Sequence, residues 1–319
     1  MARVTSDTPS LRPAEAVSIG FVAQRFYRDG RTRTEIADEL GISRFKVARM
    51  LDTAIERGIV TIVVKTPDSI DLDLSLRLRE SYGLRRAIVV HAPRPDDEAV
   101  RETLAKAAAD LLTEIVEDGD VLGLTAGRTL TAMTKYLERI APCSVVQLAG
   151  VAGPERDNGV DVVREVARAS GGRMYAIYAP LLVSSAQIAT ALRREPSILG
   201  TLRRFSSVTK AFVAVGSWNP PESQMYDNAR QAGVLEDLLA QDVQAEVCSI
   251  VVDRQGAVLP GVADRSIGIS AEQLDAIPEV IAVAGGVIKV AAIRAVVRSG
   301  LVDSLVTDAS AARLLLRDS

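Results

Sequence analysis

The chain has 319 residues, of which 48% are hydrophobic and 25% charged, with a formal net charge of −3. That length suggests two domains at roughly 150 residues each, and the composition is that of a globular protein, not a disordered one. Two cysteines, Cys143 and Cys248, exclude a disulfide scaffold and a Cys-rich zinc site, and a single histidine argues against His-based metal sites and histidine-dependent triads.

Residues 1–13 lack the apolar core of a signal peptide and read as a disordered lead. No apolar run approaches the roughly 18 residues that span a bilayer, so we expect a cytoplasmic protein with no membrane partner. Residues 14–66 read as a small first domain. Up to position 66 there are 11 Lys/Arg against 8 Asp/Glu, a balance of +3, whereas the rest of the chain stands at −6. A basic head on an acidic body suggests that only the head meets a polyanion.

Three helices are predicted in the head. The first, AEAVSIGFVAQRFYRDG, places Val17, Phe21, Val22 and Phe26 at helical spacing, and Gly30 can end it. In the second, Thr32 and Glu35 form a capping-box pattern, Ile36, Ala37 and Leu40 supply the buried face, and Gly41 tolerates the turn that follows. Ser43 can cap the third, in which Val47, Met50, Leu51 and Ile55 are expected to point inward. Arg44, Lys46 and Arg49 are left on its outer side. The stretch IVTIVVKT then suits a β wing. This is a winged helix-turn-helix pattern. Its second helix would enter the major groove of double-stranded operator DNA, where arginine donates bidentately to guanine. The competing reading is a three-helix bundle with solvated charges.

Residues 67–319 alternate helical and strand patterns. RRAIVVHA, DVLGLTA, SVVQLAG, RMYAIYAPLLV, AFVAVGS, CSIVVD and VIAVAGG read as strands, with helical runs between most of them. Continuous apolar strands separated by helices argue for an open parallel α/β sheet. Ligands of such sheets bind beyond the carboxyl ends of the strands. Two strand-to-helix turns there have anion-binding chemistry, Gly127-Arg128-Thr129 and Gly285-Gly286-Val287-Ile288-Lys289. Against that stands the plainer reading of tight turns and a solvated lysine. GxGxxG and GxxxxGK[ST] are absent, so no cofactor is indicated. Trp218, in a Pro-containing loop, suits either an interface anchor or a cover for the loop's own base, and NPPESQMYDNAR reads as a lid. The lone His91 is expected to cap a surface end.

The ordered segments FYRDGRTRTEIADELGISRFKVARMLDTAIERGIV, DLSLRLRESYGLRRAIVV, EDGDVLGLTAGRTL, VVQLAG, AFVAVGS, EVCSIVVDRQG and VAGGVIKVAAIRAVVRSGLVDSLVTDASAARLLL resemble the SorC/DeoR-type bacterial transcriptional regulators from about Ala14 to Leu316. The resemblance implies a winged helix-turn-helix and a larger Rossmann-like effector domain related to sugar-phosphate isomerases. It implies a regulator of a carbohydrate operon that binds a sugar, polyol or phosphosugar without turning it over, and that works as a dimer or tetramer. By position it implies DNA contacts at Thr34, Ser43, Arg44, Phe45, Lys46 and Arg49. It implies effector contacts at Gly127, Arg128, Thr129, Gln147, Gly150, Asn158, Glu246, Gly285, Gly286 and Lys289. The chain departs from the family pattern at Ala126, where Trp is frequent, and at Val160, where Asn is frequent. It departs again at Gln244-Ala245, in place of a glycine, and at Thr34, in place of a glutamine. The alternative is an isomerase-like enzyme using Glu246, Asp161 or a Schiff base on Lys289, with a fused DNA-binding head.

Overall fold

In the computed structural model, residues 11–62, 69–152 and 159–317 are described. The chain forms two compact units, Met1–Lys65 and Thr66–Ser319.

The first unit is helical. α1 (Pro13–Ala23) starts on a proline and runs into a π-helical turn, Gln24–Arg28. α2 (Arg33–Leu40) begins on the Thr32/Glu35 capping box, each side chain meeting the other's backbone N–H. It stops at Gly41, whose φ of 63° is the left-handed conformation that glycine adopts freely. α3 (Arg44–Glu56) starts after Ser43, whose Oγ accepts from the Lys46 N–H at 3.2 Å. A core of Ile19, Val22, Ala23, Ile36, Ala37, Val47, Leu51 and Ala54 holds the three helices together. Val17, Phe21, Leu40 and Ile55 do not join it. They are exposed, Val17 at 73%, because Ile19 and Ala23 take the buried face of α1 instead. Met50 is only partly buried. The expected wing finds no strand over Ile59–Ile62, and the rest of that stretch lies outside the described residues.

The second unit runs α4 (Leu72–Tyr82), β1 (Arg86–Val90), α5 (Asp97–Ile115), β2 (Val121–Leu124), α6 (Arg128–Met133), β3 (Ser144–Gln147), α7 (Gly159–Ser170), β4 (Met174–Tyr175), α8 (Ala186–Arg194), α9 (Pro196–Leu202) and β5 (Lys210–Trp218). It continues with β6 (Pro221–Glu222), α10 (Gln224–Gln231), α11 (Leu235–Ala240), β7 (Val243–Val247), β8 (Ile250–Asp253), β9 (Val258–Leu259), α12 (Ala271–Asp275), β10 (Glu279–Val283), α13 (Val290–Arg298), β11 (Ser304–Asp308) and α14 (Ala309–Leu315). Seven strands pair in parallel in the order β1-β11-β10-β5-β2-β3-β4. β5 outruns the parallel sheet, and its far half pairs antiparallel with β6 and with β7.

Alternation along the strands builds two cores. Ala211, Val213, Val280, Ala282 and Leu305 face one side, with α13 and α14. Phe212, Ile281, Val283 and Val306 face the other, with α5, α6 and α7. That is the two-residue period of a strand covered on both faces. The strand expected over RMYAIYAPLLV shrinks to Met174–Tyr175, after which the chain makes only single bridges at Pro180 and Leu182. Chain direction across the sheet reverses between β2 and β5, and such a reversal opens a crevice at the carboxyl ends of the strands.

Candidate functional site

A cleft of about 430 Å³ opens at that reversal. Leu124 of β2 lies beside Phe212 of β5, and Ala214 of β5 beside Val283 of β10. The turns after β2 and β10 therefore reach the same level, with β5 between them. Gly127, Arg128, Thr129, Gly150, Glu246, Gly285, Gly286 and Lys289 all line the cleft. These are eight of the ten effector positions that the family resemblance implied. Gln147 does not line it. Its side chain is fully buried, donating to the Ala149 carbonyl at 2.7 Å and accepting from the Ile177 N–H at 2.9 Å, which ties β3 to the segment after β4. Asn158 lies outside the described residues.

The glycines act by what they lack. A Cβ at Gly127 would stand 2.6 Å from Ala214 Cβ, and the residue's φ of 153° is one that side chains rarely adopt. A Cβ at Gly285 would meet Asp308 Oδ1 at 2.5 Å. The buried Asp308 carboxylate positions this turn: Oδ1 accepts from the Gly286 N–H at 2.6 Å, and Oδ2 accepts from the N–H groups of Ser310 and Ala311 at the start of α14. Gly150 is a crossing point, where a Cβ would come within 2.9 Å of the backbone of residues 179–181. α6 has only six residues, so its dipole contributes little there. The positive charge comes from side chains, Arg128 and Lys289.

Lys289 reaches under β5 and donates from Nζ to the Val215 carbonyl at 3.1 Å. Burial, and then the nearby Arg128 guanidinium, push its ammonium below the usual lysine range. Beside it, Glu246 of β7 lies across the backbone of β5. A Cβ at its cross-strand partner Gly216 would overlap the carboxylate, at 1.8 Å from Oε1. Glu246 is 8% exposed and accepts from the Trp218 indole N–H and from the Ser223 hydroxyl. Burial pushes its carboxyl above the usual range, against the opposing pull of those two donors and of Lys289. Trp218 is therefore no exposed anchor: at 2% exposure it packs edge-on against Tyr226 and holds Glu246 in place. Burial also pushes the Cys248 thiol, at the cleft floor, well up from its ordinary value.

Across the mouth, Arg128 pairs with Glu222 of β6. Trp218 and the stretch holding Glu222 and Ser223 stand out in the sequence, but as an anchor or cover and a lid, not for these pairings, and Asp308 carries no motif. Ser223 also stands directly before a helical run, and it does cap α10 by accepting from the Met225 and Tyr226 N–H groups. His91 is half exposed, with Nε2 3.2 Å from Asp71 Oδ2, and does not line the cleft. Asp161 is half-buried on α7, paired with Arg164, and does not line the cleft.

In the helical unit, Thr34, Ser43, Arg44, Phe45, Lys46 and Arg49 are all exposed. The Arg44 guanidinium lies over the Phe45 ring at 5.1 Å, and Phe45 itself is 68% exposed. α3 thus presents three cations and an aromatic ring from its first two turns.

The family described as "Putative sugar-binding domain" matches residues 68–317. The chain belongs to the SorC/DeoR-type transcriptional regulators. The "Uncharacterized transcriptional regulator YjhU" of Escherichia coli (strain K12) is 32% identical, covering 91% of this chain and 92% of its own. The deoxyribonucleoside regulator of Bacillus subtilis (strain 168) is 28% identical over 93% and 96%. The crystal structure of the full-length sorbitol operon regulator SorC from Klebsiella pneumoniae superposes with a TM-score of 0.72 at 23% identity, covering 95% of this chain and 99% of that one. These relatives are named as regulators, not enzymes, and the chain is a transcriptional regulator with a sugar-binding domain.

Proposed function

We propose that the regulator controls a carbohydrate operon by binding a phosphorylated sugar or polyol in the cleft of its Rossmann-like second unit. The observation that carries this reading is the pairing in one cleft of two cations, Arg128 and Lys289, with a pinned carboxyl, Glu246. The cations suit a phosphate, and a carboxyl held by Trp218 and Ser223 suits sugar hydroxyls. The first unit acts as a winged helix-turn-helix: Ser43, Arg44, Phe45, Lys46 and Arg49 on and beside α3 face the major groove, and Thr34 faces a phosphate. Two-fold operators imply a homo-oligomer, a dimer or a tetramer, acting in the cytoplasm where its DNA is. The two units divide at Lys65, so residues 14–66 serve as the DNA-binding domain and 67–319 as the effector domain.

The test is fluorescence anisotropy of the full chain on its own operon's promoter and on scrambled DNA, titrated with sugar and polyol phosphates beside their unphosphorylated forms. We expect preference for the promoter, and a change in affinity with one phosphorylated compound that Lys289→Gln abolishes. Equal affinity for both DNAs, or a response only to free sugars, would overturn the reading.

A further inference from the structure

Phosphate binding at this cleft has to contend with the cleft's own charge. Its walls carry three cationic side chains and four carboxylates, so the site by itself holds no surplus of positive charge. The most open of the cations, Arg128, is already engaged: it is half exposed, and its guanidinium pairs with Glu222. Glu222 belongs to the two-residue strand β6, and the next residue, Ser223, donates to Glu246 on the opposite wall. Adjacent residues of one segment thus occupy both of the groups that a ligand would use. Glu222 takes the anion's partner, and Ser223 takes an oxygen of the carboxyl that would meet a hydroxyl.

We propose that Glu222 is an internal competitor for the anion position at Arg128, and that this competition makes the cleft selective for phosphate-bearing ligands over carboxylates and neutral sugars. The proposal rests on the reading of the cleft as the effector site. A ligand carboxylate has the same charge as Glu222 but lacks its tether, and a tethered group acts at an effective concentration in the millimolar range. It therefore gains nothing by the exchange. A phosphate monoester carries about −1.5 to −2 charges and three acceptor oxygens, so it displaces Glu222 with a net gain and has oxygens left for Lys289 and the Gly127 and Gly286 turns. The competitor is kept weak by its surroundings. Arg128 and Glu222 are 52% and 40% exposed, and such pairs hold only modestly. Displacing Glu222 also loosens Ser223, so the segment that bears both is the part of the cleft that registers the ligand.

The test uses the full-length chain with inorganic phosphate and sulfate at constant ionic strength, read by the emission of Trp218, the only tryptophan in the chain, and by thermal shift. Relative to the unsubstituted protein, Glu222→Gln should bind phosphate about two- to five-fold more tightly, the range set by an exposed ion pair. Arg128→Gln should lose phosphate binding, and adding Glu222→Gln to it should restore none. That combination separates competition for Arg128 from a general loss of negative charge. Acetate should bind detectably only once Glu222 is replaced. If Arg128→Gln loses phosphate but Glu222→Gln binds it no better, the competitor is refuted and the effector reading stands. Rescue of phosphate binding by Glu222→Gln in the Arg128→Gln background would refute the competitor in the same way. If Arg128→Gln binds phosphate as well as the unsubstituted protein, or if no form binds it, the effector reading falls and takes the proposal with it.

Discussion

The helical unit and the α/β unit make their working surfaces in opposite ways. Among the described residues the first has eight buried core residues, and the side chains proposed to meet DNA point outward: Arg44, Phe45, Lys46 and Arg49 are exposed on one short helix. The second buries several times as many residues, and its cleft is made largely of missing side chains, at Gly127, Gly150, Gly216 and Gly285. A convex reader depends on which atoms are present. A concave receptor depends equally on which are absent, and on buried groups that hold the few polar side chains in place.

The difference can be broken most severely from the head's core. Leu51→Ala, at a site 2% exposed, should cost about 2–5 kcal/mol. A unit of some 65 residues has only a few kcal/mol in hand, on the order of 3–10. We expect DNA binding to be lost while a phosphosugar still raises the melting temperature of the second unit; loss of both responses would show that the units stand or fall together. Gly216→Ala should strike the cleft, costing about 1–3 kcal/mol by overpacking as its Cβ displaces Glu246. Urea denaturation would report the destabilisation, and ligand response should vanish with promoter binding retained. Arg44→Ala should weaken promoter binding by about 1–3 kcal/mol and relax its specificity, with the fold untouched. Equal weakening on scrambled DNA would reassign Arg44 to a phosphate.

The gentlest change is one of sign. Burial raises the folded-state pKa of Glu246 above its ordinary 4.5. The stabilisation from its neutral form is therefore complete below that value and is lost as pH rises through the folded one. Glu246→Gln stays neutral at every pH; like the protonated acid it keeps one carbonyl oxygen to accept from Trp218, while its bond with Ser223 must reverse direction. Its melting temperature should match the unsubstituted protein's near pH 4 and gain on it steadily toward pH 8. A difference that stays flat with pH would mean that Glu246 ionises in the fold as easily as in water.

What could be read in advance follows the same contrast. Caps and turns are local, so Thr32, Glu35, Gly41 and Ser43 stand where their chemistry predicts. The parallel sheet is legible because strands covered on both faces become continuous apolar runs. Fewer of the buried-face expectations hold. Val17 and Phe21 have the right spacing but are out-competed by Ile19 and Ala23, because three short helices offer too narrow a seam to bury every apolar stripe. Gln147 shows the limit in the site. A glutamine at a strand end can face a ligand or satisfy two backbone groups, and only the approach of Ala149 and Ile177 decides. Glu222 and Trp218 lie far in sequence from the residues they hold, and no local pattern encodes those partners.

The two thiols give the molecule a pair of built-in clocks. Burial raises both Cys143 and Cys248, so neither is a ready nucleophile at neutral pH; an alkylating reagent must wait for the chain to open around the buried Cys143, whereas it can reach the partly exposed Cys248 through the cleft. Cys143 sits against β3 and α7, where its carbonyl accepts from Ser170, and Cys248 sits at the floor of the cleft. Alkylation rates followed by mass spectrometry would time the opening of the chain around Cys143 and, at Cys248, access to the cleft itself. A bound effector should slow the Cys248 clock alone, turning a residue with no part in binding into a gauge of how much of the time the cleft stands empty.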